Sequence, residues 1–169
     1  MDIPALLRDG YQRIREEVHD VLDDLTEQEL NARLDEGANS IAWLVWHLTR
    51  VQDDHLADAG ELEQVWTSAG FDERFDLDLP AGSTGFGHSA RDVSKVRVTD
   101  PEMLGAYYDA VHEQTLGFLR GLDAPALDRV VDDSWDPPTT LGVRLVSVLA
   151  DDLQHVGQAA FVKGVLRRR

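Results

Sequence analysis

Residues 39–60, NSIAWLVWHLTRVQDDHLADAG, decide how this chain folds. Asn39 or Ser40 supplies a helix N-cap, and Gly60 stands where a C-cap glycine belongs. Between them Ile41, Leu44, Val45, Leu48, Val51 and Leu56 recur at helical spacing, so the segment reads as a long amphipathic helix running to about Ala59. At about 100° per residue, His47 falls at the margin of the apolar stripe rather than at its centre. Asp54 lies two turns further along nearly the same line, so a polar pair flanks the core face.

Outward from this helix the same grammar repeats. Upstream, a helix opens after Asp2 with Pro4 in its first turn and carries Leu6, Leu7, Tyr11, Ile14, Val18, Val21, Leu22 and Leu25 on one stripe. Thr26 to Leu30 follow as a turn or short helical piece with a capping-box pattern, then a polar break from Asp35 to Asn39 containing Gly37. Downstream, Glu61 to Thr99 hold no long period; Gly70, Pro80, Gly82, Gly85 and Gly87 mark an irregular connection, with Ser89 to Asp92 capping a short helix toward Val96. Thr99-Asp100-Pro101-Glu102 start a third long helix, whose buried side is Leu104, Tyr107, Tyr108, Val111, Thr115 and Phe118 and whose stop is Gly121. After a loop through Asp132, Trp135, Pro137 and Pro138, Thr139 or Thr140 caps a fourth helix continuing through Leu145, Leu149, Leu153, Val156 and Ala160 to the end. Four amphipathic helices with almost no alternating segment predict an all-α fold: one antiparallel four-helix bundle over residues 1–169, with its long connection between the second and third long helices.

The chain has 169 residues, enough for one ordinary domain burying roughly 70% of its unfolded surface. It contains no cysteine, which excludes disulfides, thiolate ligands and a cysteine nucleophile; any thiol chemistry needs a thiol from outside. The formal charge of −16 repels nucleic-acid phosphates and anionic lipid, so neither nucleic acid nor membrane is an expected partner. Asp2, Arg8, Asp9, Arg13 and Glu16 interrupt the N-terminal apolar residues, which excludes a secretory h-region there and makes the cytoplasm the expected location. Arg167, Arg168 and Arg169 suit the negative end of a final helix.

Asp151 and His155, four apart on the fourth helix, project from one face with Cβ atoms about 6 Å apart, a spacing that can clamp one ion. A carboxylate oxygen and an imidazole nitrogen each bind a divalent metal at about 2.0–2.2 Å, and bundle interiors bring such ligands together from facing helices. His47 is the best third ligand. Spacing alone leaves other readings open: a histidine beside a core stripe is more often a hydrogen-bonded structural residue, and an Asp–His pair a solvated salt link.

The segments Asn39 to Leu48 and Asp151-Asp152-Leu153-Gln154-His155-Val156-Gly157-Gln158 resemble the second and fourth helices of the DinB-like superfamily. The likeness extends loosely over the whole chain and is nearest to the branch related to the N-terminal domain of mycothiol-dependent maleylpyruvate isomerase. In that superfamily one histidine of the second helix and two residues four apart on the last bind a divalent metal, often zinc or nickel. The resemblance carries those roles to His47, Asp151 and His155. Many relatives have histidine at the position of Asp151, whereas the isomerase branch has a carboxylate there; Asp152, one position off the pattern, is a rival ligand.

Three protein ligands leave a tetrahedral metal one open position, as in catalytic zinc sites. The resemblance implies a thiol transferase or thiol-dependent isomerase, in which a small thiol such as mycothiol or bacillithiol is held as a metal-bound nucleophile and attacks an electrophilic substrate. Asp54 and Gln158 are candidates to support the ligands from behind. Two other readings remain: the two-histidine, one-carboxylate triad of non-haem iron oxygenases, and a non-catalytic metal-stabilised bundle acting as a binding or stress-response module, with a homodimer a possible assembly. His88, on the glycine-rich loop, either closes the pocket or caps the following helix. His55 is expected to be hydrogen-bonded near the core, His112 exposed, His19 without a role, and Trp43, Trp46, Trp66 and Trp135 packed in the core.

Overall fold

The computed structural model describes residues 2–168. Its elements are α1 (Ile3–Leu22), α2 (Glu27–Asn31), α3 (Ile41–Gly60), α4 (Val65–Ser68), α5 (Phe71–Phe75), α6 (Ala90–Val93), α7 (Pro101–Arg120), a 3-10 turn (Pro125–Asp128), β1 (Val130–Asp132), β2 (Thr139–Thr140) and α8 (Leu141–Leu166). Side-chain caps start the long helices where the residue types predict: Asp2 accepts from the Ala5 amide, Ser40 from Trp43, Asp100 from Glu102 and Thr140 from Val143. The capping boxes at Thr26–Glu29 and Ser89–Asp92 are both formed. At the end of α3, Glu61 takes the left-handed conformation at φ 52° instead of the glycine. Gly60 is small for another reason: a Cβ there would come within 3.1 Å of Phe118 Cδ2.

The long helices form the bundle that the spacing predicts, around a core supplied by Tyr11, Ile14 and Val18 of α1, Leu44 and Leu48 of α3, Leu104 and Tyr108 of α7, and Leu145 and Val156 of α8. The direction of pairing is mixed. His47 faces His155 while His55 meets Arg144, so α3 and α8 run antiparallel; so do α1 and α7, where Arg15 meets Asp109 and Leu22 meets Gly105. Gly10 meets Leu149 and Asp20 meets Lys163, which makes α1 and α8 parallel. Residues 61–99 return the chain to the starting end of α3, which is why that connection must be long.

Three short helices punctuate this connection, and it lies across α3. Trp66 packs against Trp46, Phe75 and Tyr107 with ring centroids 6.3, 5.3 and 5.2 Å away, and each such buried ring contributes roughly 1.5–3 kcal/mol of hydrophobic transfer. As a result α3 is buried all round from Ile41 to Asp53, including its charged positions. Arg50 and Asp53 are 0% and 1% exposed. Asp53 accepts the Val65 and Trp66 amides and the Tyr107 hydroxyl, while Arg50 donates to Ser83 O and Gln64 Oε1 and lies over the Trp66 ring.

Several sequence expectations are corrected. On α8, Leu153 and Ala160 are exposed and Leu149 only half-buried; the core face runs Leu141, Leu145, Val148, Asp152, Val156, Ala159 and Val162. The helix is apolar on two sides, so periodicity alone did not select the face that α1 and α3 cover. Trp135 is 67% exposed, because its loop lies outside the bundle, whereas His112 is 2% exposed, because α7 turns it inward beside the Tyr108 ring. No described helix is long and apolar enough to cross a membrane.

Candidate metal centre

His47 rises from the middle of α3, and Asp151 and His155 from successive turns of α8 facing it across the antiparallel pair. One potential ligand atom from each lies within 4.8 Å of the others. The His47 and His155 rings meet edge to face at 4.7 Å, and Trp43, one turn before His47, stacks on its ring at 4.5 Å.

Each histidine is oriented through one nitrogen. His47 Nδ1 donates to Thr84 O, and His155 Nδ1 donates to its own helix at Asp151 O, 2.9 Å away. Both Nε2 lone pairs are thereby left for a ligand, the usual device that fixes tautomer and ring orientation in metal sites. Burial holds the His47 pKa below its ordinary value, keeping the ring neutral. Burial also opposes charge on His155, but the Asp151 carboxylate and carbonyl outweigh it and raise that ring's pKa. Asp151 is pushed up by burial and brought below the ordinary carboxylate value by His155 and His47.

The arrangement fits a cation on an observation of its own. Asp151 Oδ2 is buried and has no hydrogen-bond partner; its nearest cationic neighbour, His155 Nδ1, is 3.4 Å away without hydrogen-bond geometry. A buried carboxylate oxygen left unpaired is costly, and a divalent ion facing two imidazole nitrogens would satisfy it. Asp152 does not compete for this position. It is 0% exposed on the core face of α8, with both oxygens unpartnered, and burial raises its pKa well above the carboxylate range.

The loop over the site is built for close approach. Gly85 adopts φ +96°, and a Cβ there would lie 2.5 Å from His47 Nδ1. The close approach of this glycine-rich loop is made at the ring of His47. His88 neither closes the pocket nor caps the next helix. Trp43 Nε1 donates to its Nδ1 at 3.1 Å, so the proton sits on Nε2, which donates to Ser83 Oγ at 2.8 Å. His88 thus pins the loop to α3.

A half-enclosed cleft of about 490 Å³ opens beside His47 and Asp151, bordered by Asp54, His55, Phe86, Trp135 and Arg144. Arg144 donates to Asp132 Oδ2 and approaches His55 Nδ1, each at 2.9 Å, so His55 is hydrogen-bonded as expected. Asp54 lines the cleft and accepts from Gln64 Nε2, whereas Gln158 is exposed on a separate groove beside Phe161. Arg144, Phe86 and Thr84 carried no signal in spacing: Thr84 acts through a backbone carbonyl, and the other two reach the cleft only through tertiary packing. A larger open groove of about 640 Å³, lined by His19 and Asp109 between α1 and α7, lies away from this centre.

Among proteins of known kind, the DinB superfamily matches this chain over residues 11–159. The crystal structure of a conserved protein from Enterococcus faecalis superposes with a TM-score of 0.93 at 29% sequence identity, covering 100% of this chain and 99% of that one. No curated protein matches.

Proposed function

This chain belongs to the DinB superfamily, and on that footing we propose that it is a divalent-metal-dependent thiol transferase or thiol-dependent isomerase, working with a low-molecular-weight thiol such as mycothiol or bacillithiol. The observation that carries the proposal is the convergence of His47, Asp151 and His155, with ligand atoms within 4.8 Å of one another, beside an open cleft.

Zinc or nickel, when bound, would supply Lewis acidity that lowers the pKa of a thiol brought to it. The chain's own residues would do the rest. His47 and His155 present fixed Nε2 lone pairs, and Asp151 supplies the negative charge that makes the site attractive to a cation. Phe86 and Trp135 offer apolar surface at the cleft mouth for an electrophilic substrate, and Arg144, held by Asp132, offers a cation toward any anionic group the substrate carries. The chain contains no cysteine, in keeping with a nucleophile that arrives with the thiol cofactor.

The test is elemental analysis of untagged protein beside His155→Ala, followed by calorimetric titration of the metal-loaded form with mycothiol and bacillithiol. About one zinc or nickel per chain, lost in the variant, with thiol binding in the wild type is the expected result. Metal without thiol binding would instead favour a non-catalytic metal-stabilised bundle, and equal metal content in both proteins would remove the site assignment.

A further inference from the structure

Residues 83–88 are tied to one face of α3 by side chains spaced four and three apart. Trp43 Nε1 donates to His88 Nδ1 at 3.1 Å, His47 Nδ1 donates to Thr84 O, and Arg50 Nε donates to Ser83 O at 3.1 Å. Positions 43, 47 and 50 share one side of the helix, and their partners follow in reverse order, so the segment runs back along α3 as a strap over His47. The strap is sharply turned. The His88 amide donates to Gly85 O at 3.1 Å, and Gly85 and Gly87 stand at φ 96° and 72°.

The two ends of the strap are held by different chemistry. Arg50 is 0% exposed and stays charged at every pH a folded chain meets, and its bond is to a backbone carbonyl. The other end hangs on His88, whose ring is used on both sides. An indole N–H only donates, so His88 Nδ1 must carry a lone pair, while Nε2 donates to Ser83 Oγ. One neutral tautomer satisfies both partners. A second proton would sit on Nδ1, facing the Trp43 N–H donor to donor, and that bond would be lost. The ring is half-buried, so solvent can deliver the proton. Burial opposes the charged form and holds the His88 pKa below the ordinary histidine value; Lys95 adds to this, and Asp92 of α6 works against it. A charge on His88 would also make His47 harder to protonate. The strapped state is therefore fully present above the ordinary histidine value and is lost as the pH falls through the lowered one.

We propose that His88 is a pH-sensitive positioning residue for the metal centre: its neutral ring keeps the strap on α3 so that Thr84 holds His47, and its protonation frees the strap and loosens the ion. This role depends on the reading of His47, Asp151 and His155 as ligands. The contacts that carry it are continuous. His88 bonds Trp43, the Trp43 ring stacks on His47 at 4.5 Å, and Thr84, four residues before His88, takes the His47 proton. With the strap off, His47 loses the acceptor that fixes its tautomer, and its Nε2 lone pair is no longer reserved for an ion. The ligands' own protonation also expels a metal in acid, so the contribution of His88 is a difference between two proteins and not acid sensitivity as such.

The informative variant is His88→Gln, whose side-chain oxygen can accept from Trp43 and whose amide can donate to Ser83 without titrating. Zinc affinity of the full chain is measured by chelator competition from about pH 8 to about pH 5, the span in which histidines change charge. At the upper end the wild type and His88→Gln should bind alike, and His88→Ala about 10- to 100-fold more weakly, the usual cost of disturbing a ligand's outer support. Toward the lower end the wild type should lose about 10- to 100-fold relative to His88→Gln and fall to the level of His88→Ala. A second readout needs no metal. In the metal-free chain the Trp43 indole N–H resonance, assigned with Trp43→Phe, should shift in step with the His88 ring, and that step should be missing from His88→Gln. Parallel affinity profiles for the wild type and His88→Gln would overturn the proposal, as would a His88→Ala variant that holds zinc as tightly as the wild type. Absence of zinc binding at every pH would remove the ligand assignment, and with it the role of His88 there. An indole that shows no such step would overturn the strap itself, whatever the metal content.

Discussion

Gly85 and His47 show how closely the candidate centre depends on single atoms. The glycine stands at φ +96°, with its missing Cβ 2.5 Å from His47 Nδ1, and the neighbouring Thr84 carbonyl accepts that nitrogen's proton. Gly85→Ala must therefore both strain the backbone, at about 1–3 kcal/mol, and push the loop off the imidazole. We expect zinc affinity to fall 10- to 100-fold, the usual cost of disturbing a ligand's outer hydrogen bond, while helix content holds. Competition titration with a chromogenic chelator measures this, and unchanged affinity would mean that the loop does not orient the ring. The candidate ligands themselves were legible: His47 at the edge of a stripe, Asp151 and His155 four apart. The Thr84 contact was not, because every residue has a carbonyl and only the folded loop decides which one arrives.

At the scale of elements, the connection from Glu61 to Thr99 is held to α3 by a buried polar cluster. Asp53 accepts two amides at the start of α4 and the Tyr107 hydroxyl, and Arg50 reaches Ser83 O beside the Thr84 that orients His47. Removing one partner of a buried ion pair costs about 3–5 kcal/mol, since the other charge stays behind uncompensated. Asp53→Asn, which leaves Arg50 without its carboxylate, should thus lower the melting temperature by about 6–20 °C and open the connection to limited proteolysis, with cuts mapping to 61–99. A connection as protected as in the wild type would show that the aromatic packing of Trp66 and Phe75 suffices to hold it. Sequence patterning found α3 and its N-cap but read its polar side as flanking the core; a segment arriving later in the chain buries that side, and no local period reports it. The same limit explains α8, whose two apolar faces look alike until α1 and α3 choose one.

At the scale of the molecule, the candidate centre joins α3 to α8 and, through Thr84, to the long connection. An ion bound only by the folded chain adds about 2.7 kcal/mol at a hundredfold excess over its dissociation constant. For a chain of this size that is a rise of about 5–10 °C in melting temperature, reversed by a chelator. His155→Ala should melt at one temperature with or without zinc; a variant that still responds would place the ion elsewhere. Composition, helix periodicity and caps determined by themselves that this is a bundle of four long helices, cysteine-free and strongly acidic, because those features act between residues near in sequence. Tertiary structure alone decided which helix pairs run parallel, which face of α8 enters the core, that Asp152 is sealed there while Asp151 faces His47, and that Trp135 stays outside. Those outcomes depend on contacts between residues far apart in the chain, where a rotation of one helix by a single residue, about 100°, exchanges a buried side chain for an exposed one.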